Sequence, residues 1–354
     1  MRPPAVTVEV PPPRARRRWL PTVLAALAVV VGAELGAAAL GPYLPAPDLW
    51  ADAATATKVA QLDALGHEAG CVDVLLLGSS MTRDALVPAR FQAADPSGRR
   101  AYNAALDAAG PVLLDRWVRH SVLPRVEVGT VVIGLASFDL NENARIVASA
   151  LEAHERAPYS ARGLANELEA WVIRHSALVR HRGELRDPVE VVRAVRSWTE
   201  GERAARPNPD GIPGVLAADG HGLSRRALRY TGDPGPQRFV RDQLLNDFQI
   251  TERSQEALAQ LVEGLQRRGL DVALLLLPVT DHYVAQHPAG TADQARFEAA
   301  AAAVAERTGA ALVRAPSLPE EAFADTHHVN GAGADRLSDV LPGLLADADV
   351  GRRC

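Results

Sequence analysis

Two short stretches, far apart in the chain, hold the residue types that acyl-ester chemistry needs. The first, Gly78-Ser79-Ser80-Met81-Thr82-Arg83, directly follows the apolar run Val72–Leu77. A glycine and small hydroxyl residues between an apolar run and a helical segment predict a strand-to-helix turn. A serine there can hold its Oγ outward, while the first N–H groups of the helix, which lack intrahelical partners, face a developing oxyanion. A serine in that place also serves as an ordinary N-cap. The second stretch is Asp325-Thr326-His327-His328-Val329-Asn330-Gly331. Asp325 and His328 are three residues apart, so their side chains can meet on one turn. The carboxylate would hold the imidazole by Nδ1 and leave Nε2 to take a proton from a serine. His327 is the rival base, and an aspartate N-cap with an incidental histidine is the plain structural alternative.

The elements that must position these residues follow from hydropathy. Val72–Leu77, Val128–Leu135, Val272–Leu277 and Ala311–Arg314 are short apolar runs of the kind that form buried parallel strands. Amphipathic segments alternate with them, at about 51–66, 84–94, 110–123, 251–268, 292–308 and 332–346. Strands alternating with helices predict an α/β fold, a doubly wound parallel sheet flanked by helices, with ligands bound beyond the carboxyl ends of the strands. Residues 147–198 have mostly helical periodicity. Residues 199–237 are crowded with Gly, Pro, Asp and Arg and read as a long loop. Together they suggest an insertion at about 145–245 that could cover a site.

The N-terminus bears on the compartment. Residues 1–18 are Pro-rich and read as a disordered cytoplasmic tail ending in Arg14, Arg16, Arg17 and Arg18. Residues 19–41 are almost wholly apolar, long enough to span a bilayer, with Trp19 and Tyr43 at the two ends. The flanking arginines predict an N-in, C-out anchor. Glu34 interrupts the run, and Ala37–Ala39 offers a signal-peptidase-like site, so a cleaved signal is the rival; the arginine pair also has a faint twin-arginine character. Residues 42–50 form a linker and 51–350 the main domain. The net charge of −5 and the lack of a basic stripe exclude nucleic acid as a partner. Cys71 and Cys354 form neither a CxxC pair nor a zinc spacing, and two cysteines make no disulfide framework. No GxSxG elbow, phosphate loop or HExxH occurs. His282 and His287 could line the cleft, with polar loop positions as the plainer reading; the run Arg180-His181-Arg182 could bind an anionic polymer, with a solvated helix face as the plainer one.

The ordered set of blocks resembles the SGNH/GDSL hydrolase family over about residues 70–346. Gly78-Ser79-Ser80 stands for the family's GDS-like block and gives Ser80 the nucleophile's place. Asp325 and His328, followed by Val329, Asn330 and Gly333, stand for the last block. Tyr102-Asn103-Ala104-Ala105-Leu106 followed by Gly110 looks like the second block, and the strand Val131–Leu135 with Ser137, Asp139 and Asn141 occupies the third. The resemblance is closest to the membrane-anchored branch, which carries GSS and acts in D-alanylation of teichoic acids and O-acetylation of alginate; Val272–Tyr283 looks like the strand and loop that branch carries before its last block. Two features depart from the pattern. Gly110 is displaced from the second block's glycine position, near Ala108. The third block's Gly-x-Asn-Asp is absent, so the oxyanion asparagine is unassigned; losing one such donor costs on the order of a hundredfold in rate. Gly110, Ser137 and Asn103 are the candidates for oxyanion or binding roles. The resemblance implies an extracytoplasmic serine esterase or O-acyltransferase with a Ser80-His328-Asp325 triad. It would need no metal or cofactor and would act on an acylated cell-surface glycan or a small acyl ester, with a membrane acyl-donor protein as a further partner. A non-catalytic, membrane-tethered glycan-binding or scaffold protein on the same fold is the alternative.

Overall fold

The computed structural model describes residues 19–44, 50–68, 70–157, 168, 171–173, 175–197, 208–232 and 234–354. The expected tail (1–18), most of the linker and parts of the insertion lie outside them. The chain divides into two units. One holds the N-terminal helix and the described part of 167–199; the other holds residues 48–166 and 200–354.

The second unit is built on five parallel strands in the order β2-β1-β3-β4-β5. They are β1 (Cys71–Gly78), β2 (Ala101–Asn103), β3 (Glu127–Leu135), β4 (Asp271–Leu276) and β5 (Ala311–Arg314). Each of the four apolar runs seen in the sequence forms a strand of this sheet, as expected. The three-residue strand β2 overlaps the start of the Tyr102–Leu106 block and is too short for periodicity to reveal. Burial explains the lack of alternation: Val74–Leu77 and Val131–Ile133 are almost fully enclosed on both faces by flanking helices. The helices Ala53–Glu68, Glu252–Gln266, Thr291–Thr308 and Gly331–Asp347 fall close to their expected spans. The segment expected as one helix at 84–94 is two, Ser80–Ala85 and Pro88–Ala94, because Pro88 starts a new helix.

The two ends of the sheet are fastened differently. At its amino end, the C-terminal tail crosses β3: Thr130 Oγ1 donates to the carbonyl of Arg352, and Arg352 N–H donates to Asp271. A disulfide joins Cys354 to Cys71 at the start of β1. Residue spacing does not reveal this pairing, since the two residues are 283 positions apart. At its carboxyl end, Gly78 and Gly134 are direct neighbours across β1 and β3. Gly78 has φ 153°, and a Cβ built there would stand 2.1 Å from Thr82 Oγ1 and 2.7 Å from the Gly134 carbonyl. Only glycine lets the backbone turn this tightly into the helix that begins at Ser80.

Gly78→Ala should therefore destabilise the protein by about 2–4 kcal/mol, as steric overpacking and backbone strain combine. Gly98→Ala is the control, because Gly98 has φ +67° with nothing within 4 Å of an added Cβ. It should cost only about 1 kcal/mol. Thermal unfolding of both variants checks the difference.

Candidate functional site

Ser80 is the first residue of the helix Ser80–Ala85, and Ser79 precedes it in extended conformation. The tight turn at Gly78 thus presents Ser80 at the carboxyl end of the sheet. The loop 323–330 approaches from the other side. Its ends are joined by hydrogen bonds from Ala324 N–H to the His328 carbonyl and from Asn330 N–H to the Ala322 carbonyl. Asn330 then caps the last helix through its Oδ1, which accepts from Ala332 and Gly333 N–H. This folds Asp325 and His328 together.

The result is a continuous chain of hydrogen bonds. Ser80 Oγ lies 2.9 Å from His328 Nε2, and His328 Nδ1 lies 2.8 Å from Asp325 Oδ2. With Nδ1–H donating to the carboxylate, Nε2 is left to accept the serine proton. Asp325 Oδ1 accepts the backbone N–H groups of His327 and His328 at 2.9 and 2.8 Å. Burial pushes the Asp325 carboxyl up, but the His328 charge and the hydrogen bonds from both histidines outweigh it and hold the group far below the usual carboxylate range.

His327 is differently placed. Its Nδ1 lies 3.1 Å from Asp325 Oδ1, and its ring packs against His328, Phe138 and Tyr283. Burial, with the neighbouring His328 charge, lowers its pKa to about 4, so it is neutral at physiological pH. Asp325, His327 and His328 offer three ligand atoms within 4.8 Å of one another, the only described group near Ser80 that could hold a metal. The hydrogen bonds described above already engage those atoms.

A set of charges not visible in the sequence surrounds this chain. Asp84 is buried and paired with Arg83 at 2.8 Å and with Arg225 at 2.6 Å. The Arg225 Nε also lies 3.7 Å from Asp325 Oδ2. Arg225 comes from the loop 208–232, held in place by Gly222 N–H to the Arg83 carbonyl and Gly331 N–H to the Arg226 carbonyl. Behind it, Lys58 is fully buried and donates to the carbonyls of Asn103 and Gly220.

The remaining expected site residues are engaged in different ways. Asn103 is fully buried; its amide donates to the carbonyls of Thr82 and Leu86, and its Oδ1 accepts Ala105 N–H, so it holds the Ser80 helix from behind. Ser137 Oγ lies 2.8 Å from both Tyr283 Oη and His287 Nε2 in the core. Asn141 braces the loop 244–249 through Leu244 and Gln249. Gly110 precedes the helix Pro111–Trp117 and borders a cavity of about 240 Å³, lined chiefly by apolar residues such as Leu113, Leu140, Val147 and Leu151. A Cβ at Gly110 would meet Val147 at 2.8 Å.

Asp139 is buried with one carboxylate oxygen bound to Ala136 N–H at 2.7 Å, and burial raises its pKa to about 7. An acid whose folded pKa lies above its unfolded value near 4 favours folding only while it keeps its proton, so its contribution falls as pH climbs from about 4 to 7. Asp139→Asn keeps the acceptor for Ala136 and removes the titration. The variant should lose less stability between pH 5 and pH 8 than the wild type, with a difference of up to about 2.5 kcal/mol. Parallel pH curves would contradict this.

No family model matches the chain, and no curated protein does. Among solved structures, it is similar to a Bacteroides fragilis protein taken for an acylhydrolase, at 12% identity and a TM-score of 0.39, covering 82% of this chain and 95% of that one. Est24, a carbohydrate acetylesterase from Sinorhizobium meliloti, is similar at 11% identity and a TM-score of 0.35, over 78% of this chain and 99% of that one. An extracellular lipase from Streptomyces rimosus is similar at 12% identity and a TM-score of 0.35, over 78% of this chain and all (100%) of the lipase.

Proposed function

We propose that this chain is an SGNH-type serine esterase or O-acyltransferase, anchored in a membrane by the helix Trp19–Leu40, with its sheet-based unit outside the cytoplasm. The observation that carries the reading is the hydrogen-bonded chain Ser80–His328–Asp325 at the carboxyl end of a parallel sheet. Ser80 Oγ attacks the acyl carbonyl as His328 Nε2 takes its proton. His328 then returns the proton to the departing alkoxide, leaving an acyl-Ser80 ester. Asp325 holds the imidazole in the required tautomer and stabilises its charged form. In the second half, water or a hydroxyl of an acceptor attacks the ester with His328 again as base. The oxyanion is met by the backbone N–H of Ser80 and by backbone near Gly110, since the side chains of Asn103 and Ser137 are engaged elsewhere. The acyl ester belongs to a cell-surface glycan or related polymer, and a membrane acyl-donor protein would supply the group in a transfer reaction.

Two features support the compartment. The segment Trp19–Tyr43 has a mean hydropathy of 2.2 and is long enough to span a bilayer; a signal sequence passes the same test. The Cys71–Cys354 disulfide suits an oxidising compartment. The engagement of Asn103 and Ser137 also favours a second reading, in which the fold binds a glycan without catalysis.

A fluorophosphonate probe separates the two readings. Wild type should be labelled, and Ser80→Ala should not; esterase activity on an activated acetyl ester should fall by roughly 10⁴-fold or more in Ser80→Ala and His328→Ala. Equal labelling of wild type and Ser80→Ala would remove Ser80 from the mechanism and favour the binding reading. Acylated sugar formed with a candidate oligosaccharide would establish transfer, whereas unchanged release of free acetate would leave a plain esterase. Topology has its own check: alkaline phosphatase fused after residue 60 should be active, and an inactive, stable fusion would defeat the external placement.

A further inference from the structure

Glu34 sits inside an otherwise apolar helix, where a lone carboxylate is costly unless it finds donors. It finds three. Ser176 Oγ–H donates to it at 2.7 Å, Leu178 N–H at 3.2 Å, and Ala177 N–H lies within hydrogen-bond range of its other oxygen. Glu34 is six residues before Leu40, the last residue of the helix, which is about 9 Å along the axis at 1.5 Å per residue. A helix that crosses a bilayer from Trp19 to Leu40 therefore carries Ser176–Leu178 below the headgroups on the side where it ends.

The described residues that flank Ser176–Leu178 in sequence have the character of a bilayer-facing surface. Leu168, Trp171, Val189, Val192 and Val195 are all exposed, although large apolar side chains seldom gather on a water-facing surface. Three of them recur at i, i+3 and i+6 along the ten-residue helix Pro188–Ser197, and so share one side of it. Arg186, just before that helix in sequence, and Arg196, within it, are exposed, and long cationic side chains of this kind can reach anionic headgroups. The aromatic ring of Trp171 stacks on His175 with centroids 4.6 Å apart, an amphipathic pair of the kind enriched at membrane interfaces.

We infer that the described residues of 168–197 form a second membrane-binding element, seated in the leaflet where the N-terminal helix ends and pinned to that helix by Glu34. Its partner is the lipid bilayer: acyl chains against the valines, Leu168 and Trp171, and headgroup phosphates against the arginines. The inference rests on the membrane-anchored reading of Trp19–Leu40. It also gives Glu34 a purpose that a simple anchor does not require.

The test uses the full chain in phosphatidylcholine vesicles with brominated acyl chains. Cys71 and Cys354 are paired, so a single introduced cysteine can be labelled with an environment-sensitive fluorophore. Probes at Val192→Cys, at Val30→Cys within the spanning helix, and at Arg253→Cys are compared; the Arg253 side chain is 90% exposed on the sheet-based unit. The Val192 probe should be quenched about as strongly as the Val30 probe, and the Arg253 probe hardly at all. Quenching at Val192 no greater than at Arg253, with Val30 still quenched, would overturn the inference and leave the anchor intact. An unquenched Val30 probe would instead overturn the anchor itself and this inference with it. In the Val192→Cys chain, Glu34→Leu should lower quenching about twofold by releasing the tether. Unchanged quenching there would overturn the role given to Glu34.

Discussion

A carboxylate largely withdrawn from water must be surrounded by donors, and the architecture of the site follows from how Asp325 meets that need. Its oxygens take two backbone N–H groups and two imidazole nitrogens, with the Arg225 guanidinium close behind. Each of these bonds constrains something else. The backbone pair fixes the turn that carries His328, and the Nδ1 contact fixes the imidazole plane. That plane in turn sets where Ser80 must stand. Removing one donor would leave a largely enclosed charge short of a partner, which costs more than the bond is worth in water.

Asp84 extends the same demand to the loop 208–232. It is buried on the helix that begins at Ser80 and needs two cations, Arg83 from its own helix and Arg225 from the loop. The middle of the loop is thus held by charge at Arg225. Five residues earlier it is held by the buried Lys58, which donates to both the Gly220 and Asn103 carbonyls. A Gly- and Arg-rich stretch that looks like mere connection therefore supplies part of the electrostatic surroundings of the serine–histidine pair. Nothing in its own periodicity announces this.

The parts of the fold that could be read from the sequence share a physical trait: their determinants are local. A buried parallel strand is a contiguous apolar run, so four strands were visible, while the three-residue β2 was not. Asp325 and His328 lie one turn apart, and Ser80 follows its glycine directly, so their spacing carries information. Other determinants are long-range. Ser137 was a reasonable oxyanion donor until its hydroxyl met Tyr283 and His287, 146 and 150 positions away. Asn103 has the right residue type, but its amide bonds carbonyls of the Ser80 helix and never faces a substrate. Arg225 and Asp84, like Cys71 and Cys354, are paired by chain topology, which residue spacing cannot encode.

The inventory of nucleophiles on the folded surface has a consequence of its own. Lys58 is the chain's single lysine and is buried, and both cysteines are locked in a disulfide. The exterior thus offers no lysine amine and no thiol to an activated acyl group. On the proposed acyl chemistry, such a surface presents neither a lysine amine nor a thiol to compete with Ser80. On that reading, an activated acyl group would find no side-chain amine on which to form a stable amide, and an ester formed on a surface hydroxyl would stay open to hydrolysis.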